Sequence, residues 1–287
     1  MAVLEPYKGG YYLWKYIPSL AAAVIFLLLF IVATAYHSWK LYSTKARFCL
    51  AFVIGGIFEI IGYIARAAAH NKTGSLMPYS LQSVFLLLGP TLFAASVYMA
   101  LGRIIRCVRA EKYSLIRINW LTKVFVMGDV LSFVVQGGAS GLMVSGNNAK
   151  LGSDIVVVGL VIQVLVFCFF IITSVMFQVR MNRCPTAESF DERFKWKSHL
   201  RVLYAISLLI LVRSLFRVVE YVQGNDGYSL THEWTLYVFD STLMFAVMLI
   251  WGVWHPGDLQ GFLKQNMALS SLGSFGRDVE SRQAYNN

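Results

Sequence analysis

Ionisable side chains stand within long apolar stretches of this sequence, where a charge is costly. A charged side chain at the centre of a membrane-spanning helix costs about 2.5–3.5 kcal/mol on the insertion scale. Glu59 and Arg66 are seven residues apart, nearly two turns of an α-helix, so both side chains point the same way. Asp129 and Gln136 have the same spacing. Charges kept at such positions predict either buried ion pairs or a polar site that binds a ligand.

A charged stripe and a further acidic residue occur in two later apolar stretches. Arg213, Arg217 and Glu220 stand at i, i+4 and i+7, and Asp240 lies about two turns into the last stretch. With the residues above, four carboxylates stand against three guanidinium groups, and this near balance predicts mutual pairing inside a bundle. Two compatible interpretations remain open. The charges are structural ion pairs that fix helix register, or they line a polar cavity, open toward the outer leaflet, that receives an amphipathic molecule.

Small residues and a proline predict how neighbouring helices approach or part. Gly89-Pro90 falls midway along one apolar stretch and predicts a kink that opens space between helices. A tolerated proline, satisfied by its neighbours, is an equally simple interpretation. Gly55-Gly56, Gly137-Gly138 and Gly141 predict close helix contacts.

The composition is that of a protein that lies in lipid. Of 287 residues, 57% are hydrophobic and 14% charged, whereas charged residues make up about 25% of ordinary globular chains. The mean hydropathy is +0.60. The apolar runs, such as 21–35 and 155–175, are continuous rather than alternating, which predicts helices and not a β-barrel. The net charge of +10 lies in short basic blocks between these runs, so it does not indicate a nucleic-acid partner.

Seven apolar segments are each long enough to cross a bilayer, which takes about 20 helical residues. They predict an all-α membrane protein, a seven-helix bundle with spans at 17–37, 48–68, 79–103, 120–144, 154–179, 200–222 and 234–254. No basic region precedes the first segment and no small-residue cleavage site follows it. This segment is therefore predicted to stay in the protein as an uncleaved span. Residues 1–16 are then a short extracellular N-terminal tail, 17–254 the transmembrane domain and 255–287 a cytosolic tail.

Lysine and arginine residues in the loops set the predicted orientation. Seventeen lie on one side of the seven spans, and four lie on the other. Because basic residues concentrate in cytosolic loops, the N-terminus is predicted outside and the C-terminus in the cytosol. The charged residues of the second, sixth and seventh spans then lie between the membrane centre and its outer face. Asn71-Lys72-Thr73 is a sequon in an outer loop, so Asn71 is a glycosylation candidate, although it lies close to the membrane.

Several functional classes lack their signatures here. The sequence has no Gly-rich loop followed by Lys-Ser/Thr, its five histidines are scattered, and no set of residues predicts a catalytic centre, a metal site or a cofactor. Seven spans with an external N-terminus are also found in rhodopsins and G-protein-coupled receptors. The seventh span, however, has no lysine for a retinal Schiff base and no Asn-Pro-x-x-Tyr pattern. We therefore expect a protein that is not an enzyme.

The polar stripes fall into motifs that resemble a known family. The motifs are Glu59-x-x-Gly62-Tyr63-x-x-Arg66, Asp129-x-x-Ser132-x-x-x-Gln136-Gly137, Arg213-x-x-Phe216-Arg217-x-x-Glu220-Tyr221, His232-Glu233 with Tyr237-x-Phe239-Asp240, and His255-Pro256. In order and position, over about 11–257, the chain resembles the fungal lipid-translocating exporter family of aminocholesterol-resistance and sphingoid long-chain-base resistance proteins. The resemblance implies a role in lipid asymmetry, long-chain-base export or resistance to amphipathic toxins, and one member group is linked to porphyrin uptake. The tail after Pro256 is shorter than the family's elaborate tails, which puts tail-based regulation in doubt.

The sequence and the resemblance together predict transport of an amphipathic lipid, such as a sphingoid base, across the plasma membrane of a fungus. The predicted ligand-binding residues are Glu59, Tyr63, Arg66, Asp129, Gln136, Arg213, Arg217, Glu220 and Asp240. A cationic amine would suit Glu59, Glu220 or Asp240, with the lipid tail in the bilayer or between helices. A receptor-like sensor of a lipid or drug, and transport of a porphyrin- or heme-type ligand, remain alternatives. The expected partners are the ligand and membrane lipid, and a homo-oligomer is left open.

Overall fold

In the part of the chain that the structure describes, seven helices are long and apolar enough to cross a membrane. The computed structural model describes residues 4, 6–7, 12–14, 16–144, 149–190, 195–223, 227–254 and 261. The first six helices are α1 (Leu20–Thr44), α2 (Leu50–Ala69), α3 (Leu76–Cys107), α4 (Ile118–Val144), α5 (Ala149–Arg183) and α6 (Trp196–Val222). The seventh span is Glu233–Val253, preceded by one short turn of helix, Tyr228–Thr231. The predicted number and order of spans are confirmed.

The helices extend past several of the predicted apolar segments. α3 begins three residues earlier and ends four residues later than the segment 79–103, and α5 extends the segment 154–179 at both ends. Polar residues at a membrane surface continue the helix because its backbone hydrogen bonds remain satisfied there. The motif His255-Pro256 lies outside the described residues, as does the cytosolic tail predicted at 255–287 apart from Gly261. The predicted orientation stays a prediction.

The seven spans pack in one closed bundle, and the third helix is the most central of them. Each span packs on the next one in sequence, and the seventh span packs on both the first and the sixth. α3 contacts α2, α4 and α6, so it occupies the middle of the bundle. Large apolar side chains such as Val32, Leu131 and Leu165 are exposed on the outside, whereas charged side chains are buried inside. This inverted distribution identifies a multi-pass membrane protein.

Glycine allows a close crossing between α2 and α3. A Cβ atom at Gly55 would lie 2.9 Å from the carbonyl oxygen of Gly89, and one at Gly89 would lie 2.6 Å from Oε1 of Glu59. The predicted close contact at Gly55-Gly56 is therefore confirmed. The same prediction is wrong at Gly137 and Gly138, where a Cβ atom would meet nothing within 4 Å. These two glycines lie on the exposed side of α4. The surroundings of Gly141 are not among those that the structure describes.

The seventh span contains a π-helical segment, Tyr237–Thr242, between α-helical turns at Glu233–Leu236 and Leu243–Val253. Ser241 Oγ donates a hydrogen bond to the carbonyl oxygen of Leu236, and Thr242 Oγ1 donates to that of Tyr237 at 2.9 Å. Each of these hydroxyls reaches five residues back, as the wide turn requires. Single π-helical turns within membrane helices are frequent at functional sites. This one includes Asp240.

Candidate functional site

Pro90 leaves one backbone carbonyl of α3 without its helical donor, and a side chain from α6 takes its place. A proline within a helix has no N–H to give to the carbonyl four residues earlier, which here is Leu86. Arg213 Nη2 donates a hydrogen bond of 2.8 Å to that oxygen. This contact agrees with the alternative interpretation, a tolerated proline that its neighbours satisfy, and the predicted kink stays a prediction. The guanidinium group of a buried arginine joins α3 to α6.

Arg213 and Arg217 share the carboxylate of Asp240. Arg213 Nε donates to Asp240 Oδ1 at 2.6 Å, and Arg217 Nη2 donates to Asp240 Oδ2. Arg217 Nη1 also donates to Glu220 Oε2 at 2.8 Å. All four side chains are buried or nearly so. With Glu59 they form what we name the central cluster: Glu59, Arg213, Arg217, Glu220 and Asp240.

Glu59 is the carboxylate of the central cluster that has no ion pair among the described residues. Its side chain is 2% exposed, and its Oε1 atom is buried without a hydrogen-bond partner. Both arginines of the cluster already pair with Asp240 or Glu220. Arg217 Nε is likewise buried without a partner. The central cluster therefore contains one unsatisfied acceptor and one unsatisfied donor, a combination that native structures rarely leave without a purpose.

Arg66 lies in a separate group, which we name the Arg66 cluster: Arg66, Glu233, Tyr237, Tyr16 and Gln82. Nη2 of Arg66 donates to Glu233 Oε1 at 2.7 Å and to the Tyr16 hydroxyl at 3.1 Å. Nε donates to the Tyr237 hydroxyl at 2.9 Å, and Nη1 to Gln82 Oε1 at 3.3 Å. The backbone N–H of Ser19 also donates to Glu233, which ties the start of α1 to the seventh span.

Tyr63 stands between these two clusters. Its hydroxyl makes a hydrogen bond with that of Ser241, next to Asp240 in the π-helical segment. Its ring stacks on Phe26 and Phe30 of α1, with centroid distances of 5.9 and 5.3 Å. An aromatic wall therefore separates the charged interior from the first span.

Asp129 and Gln136 lie apart from both clusters. Tyr98 donates a hydrogen bond of 2.9 Å to Asp129 Oδ2, and Gln136 Nε2 donates to Gln163 Oε1 at 3.4 Å. Asp129 Oδ1 is buried without a partner. Within the described part of the chain, no arginine or lysine forms an ion pair with Asp129. This face of α4 is polar but does not join the arginines.

The four carboxylates and three guanidinium groups were predicted to pair with one another as one set. This prediction is wrong about which residues form the pairs. The nine predicted residues divide into the central cluster, the Arg66 cluster with Tyr63 beside it, and the Asp129–Gln136 face. Arg66 pairs with Glu233, which the list of predicted site residues omitted although it stands in the His232-Glu233 motif. The missed partners Glu233, Tyr237 and Ser241 come from the seventh span or its first turn. The spacing of Glu233 and Tyr237, one helical turn apart, could have indicated that they share one face of the span.

The glycosylation candidate lies in the short connection between α2 and α3. Asn71 is exposed, but Thr73, the third residue of the sequon, is 1% exposed. A buried hydroxyl restricts access to the acceptor sequence. Glycosylation of Asn71 stays a prediction.

An apolar groove of about 620 Å³ lies between the first and seventh spans. Its lining includes Leu28, Val32, Phe245, Met248 and Leu249, and it contains no carboxylate or guanidinium group. The predicted polar cavity therefore does not coincide with this groove. Within the described residues, no group of three or more His, Cys, Asp and Glu side chains could hold a metal ion.

Seven apolar spans around buried ion pairs define a polytopic integral membrane protein. Residues 52–262 match the family model described as RTA1 like protein, and the chain belongs to this family. It is similar to two Saccharomyces cerevisiae proteins, Protoporphyrin uptake protein 1 (35% identical, covering 85% of this chain and 92% of the relative) and Protein RTA1 (36%, covering 87% and 86%). It also resembles the yeast Sphingoid long-chain base transporter RSB1 (26% identical, covering 84% and 72%). No solved structure matches the chain.

Proposed function

We propose that this protein translocates an amphipathic lipid with a cationic amine headgroup, such as a sphingoid long-chain base, across the plasma membrane. The observation that carries the proposal is the pair of unsatisfied atoms in the central cluster, Glu59 Oε1 and Arg217 Nε. An amino alcohol supplies the complementary groups. Its ammonium donates to Glu59, and a hydroxyl oxygen accepts from Arg217. The similarity to a sphingoid long-chain base transporter supports this substrate class.

The groove between the first and seventh spans suits the tail of such a lipid. Its volume of about 620 Å³ lies within the range of about 300–1,000 Å³ that small-molecule sites occupy. The groove also lies next to Gly56 of α2, one helical turn before Glu59. A Cβ atom at Gly56 would touch Met248, a lining residue of the groove, as well as Thr34. Headgroup and tail would then be held within one turn of α2.

The decisive experiment compares an amine with a neutral lipid on a charge-removing variant. Glu59→Gln keeps the volume of the side chain and removes its charge. A lost charge-assisted contact is worth about 1.5–3 kcal/mol, or roughly a ten- to hundredfold loss of affinity for a long-chain base. Binding of a neutral ceramide-like lipid should change much less. Glu233→Gln, in the Arg66 cluster, is the matched control and should leave amine binding intact.

Two outcomes would reject this assignment. Equal losses for the amine and the neutral lipid would make Glu59 structural, and unchanged binding of both would move the site, first to the Asp129 and Gln136 face. Movement of labelled long-chain base in liposomes that contain the purified protein alone would separate a translocator from a receptor-like sensor, which binds without moving the lipid. The same purified protein can be tested for turnover of the lipid, and unaltered lipid is expected of a protein that is not an enzyme.

A porphyrin is the second candidate substrate, because the chain is 35% identical to Protoporphyrin uptake protein 1. The carboxylates of a porphyrin would engage a guanidinium group rather than Glu59. Arg217→Gln should then reduce porphyrin binding while Glu59→Gln leaves it intact. The opposite ranking of the two variants is expected for a long-chain base.

The proposed orientation places the N-terminus outside the cell. A tag placed after Met1 should be reached by antibody on intact cells, and a tag after Asn287 only after permeabilisation. The reverse labelling would invert the membrane depth assigned to both clusters.

A further inference from the structure

We infer that Glu59 holds a proton while the central cluster is empty and gives it up when a cationic headgroup binds, so that one proton is exchanged for one lipid amine. This inference rests on the proposed function, because it assigns an energy source to the same site. It adds a chemical step that neither the relatives' names nor the ion pairs imply.

The charge count of the central cluster supports a neutral Glu59. Arg213 and Arg217 contribute two positive charges, and Asp240 and Glu220, which pair with them, contribute two negative charges. An ionised Glu59 would leave one uncompensated negative charge in a site enclosed by seven spans. A buried group in this position neutralises itself rather than remain charged. The proton is the simplest neutralising partner when no ligand is present.

Among the residues that the structure describes, the geometry around Glu59 leaves no other cation to serve as its partner. From α6, Arg213 and Arg217 act on it electrostatically, and from the seventh span Asp240 does so. On α2 itself the nearest titratable side chain is Tyr63, one helical turn away. On the other two packed helices, the histidine and the basic side chains lie toward the C-terminal ends: His37 and Lys40 on α1, and Arg103 and Arg106 on α3. The tyrosines of these helices, such as Tyr79 and Tyr98, carry no positive charge. At the level of Glu59, α3 instead presents Gly89.

Gly89 also shows that the carboxyl group lies directly against α3. The Glu59 side chain is so close to this helix that a Cβ atom at position 89 would come within 2.6 Å of Oε1. A buried acid with an unpartnered oxygen can release a proton and accept an ammonium group at the same atom. When the amine binds, the O–H bond of Glu59 breaks, the proton leaves to water and the carboxylate pairs with the ammonium. The net charge of the cluster is unchanged by the exchange.

Binding measured against pH tests the exchange directly. The probe is a long-chain quaternary ammonium lipid, whose own charge is the same at every pH. If binding releases one proton, its affinity for the purified protein in detergent should rise about tenfold for each pH unit over the range in which Glu59 of the empty protein is protonated. Glu59→Gln should bind more weakly and show no dependence on pH. Asp129→Asn removes the other buried carboxylate that has a free oxygen, and it should keep the full pH dependence.

A second measurement keeps the test decisive if Glu59→Gln fails to fold. In weakly buffered solution the unmodified protein should release one proton per quaternary ammonium bound and none per ceramide-like lipid bound. Tight binding without pH dependence and without proton release would overturn the exchange and leave the proposed substrate intact. A pH dependence of binding that persists in Glu59→Gln, or disappears in Asp129→Asn, would assign the proton to a group other than Glu59 and would also overturn the exchange. Absence of any amine binding would instead defeat the proposed function.

Discussion

The Arg66 cluster and the central cluster each contain a fully buried arginine, yet they differ in how completely their donors and acceptors are used. Arg66 makes four hydrogen bonds to side chains, and aromatic rings of Trp14, Tyr16 and Tyr237 surround its guanidinium group. The central cluster instead leaves a carboxylate oxygen and a guanidinium N–H unpartnered. Equal burial therefore does not mean equal chemistry. A saturated cluster fixes helices, whereas an incomplete one can receive a ligand.

The largest expected effect in this comparison comes from Arg213→Ala. It leaves Asp240 with one arginine and the Leu86 carbonyl with no donor. Breaking a buried charge pair in this way should lower the free energy of unfolding by about 3–5 kcal/mol. Reversible unfolding in a denaturing detergent can measure the loss.

The proline explains part of that loss, and a double mutant can isolate it. Pro90→Ala supplies an N–H for the Leu86 carbonyl, so Arg213→Ala should cost about 1–2 kcal/mol less in that background. Pro78→Ala is the matched control, because Pro78 lies in the first turn of α3, where a helical N–H has no partner to lose. Equal rescue by both alanines would mean that Arg213 does not replace the missing backbone bond.

Arg66→Ala is expected to have the next largest effect on stability. It removes several charge-assisted hydrogen bonds and the contacts with aromatic rings, at a cost of about 2–3 kcal/mol. The cost stays below that of Arg213→Ala because Glu233 is partly exposed and still accepts from Ser19. The folded fraction should bind a long-chain base as the unmodified protein does. A loss of amine binding would show that the Arg66 cluster belongs to the ligand site.

A smaller effect is expected from adding one methyl group beside Glu59. Gly89→Ala forces the carboxyl group away and should lower the free energy of unfolding by about 1–3 kcal/mol, together with amine affinity. Gly138→Ala adds the same group to open space on α4 and should be neutral or slightly stabilising. Similar losses of affinity in both variants would show that the effect is not specific to Glu59.

The smallest effect on stability is expected from Glu59→Gln. Because a protonated glutamate and a glutamine have similar shape and charge, the free energy of unfolding should change by less than about 1 kcal/mol. Asp240→Asn, which strips two arginines of a shared carboxylate, should cost several times more. A marked gain in stability for Glu59→Gln would indicate that Glu59 is charged in the empty protein.

The fold could be predicted from the sequence because few backbone structures can cross a bilayer. Continuous apolar runs of sufficient length have few alternatives to a membrane helix, so seven spans could be predicted in order. Spacing along one helix was also reliable, since Arg213 and Arg217 do meet the same carboxylate. Helical periodicity places side chains on faces without reference to any other part of the chain.

Pairing between helices was harder to predict. Glu233 was omitted because it lies at the very start of its span, where a carboxylate at the membrane surface is unremarkable. Its partner Arg66 is 167 residues away, and only the packing of the second span against the seventh brings them together. Glu59 and Asp129 were expected to pair with arginines, but neither forms an ion pair among the described residues, and they lie against Gly89 and Tyr98. Charge balance in a sequence does not specify which charges meet.

The π-helical segment of the seventh span determines how the residues before it are rotated about the helix axis relative to the residues after it. The turn Tyr237–Thr242 lies between Glu233, in the Arg66 cluster, and Met248 and Trp251, which are packed in the core. If the same residues formed a regular α-helix, everything before the segment would rotate by about 100° relative to everything after it. Glu233 would then turn away from Arg66 while Trp251 kept its place. The wide turn is the spacer that lets one straight span serve both clusters at once.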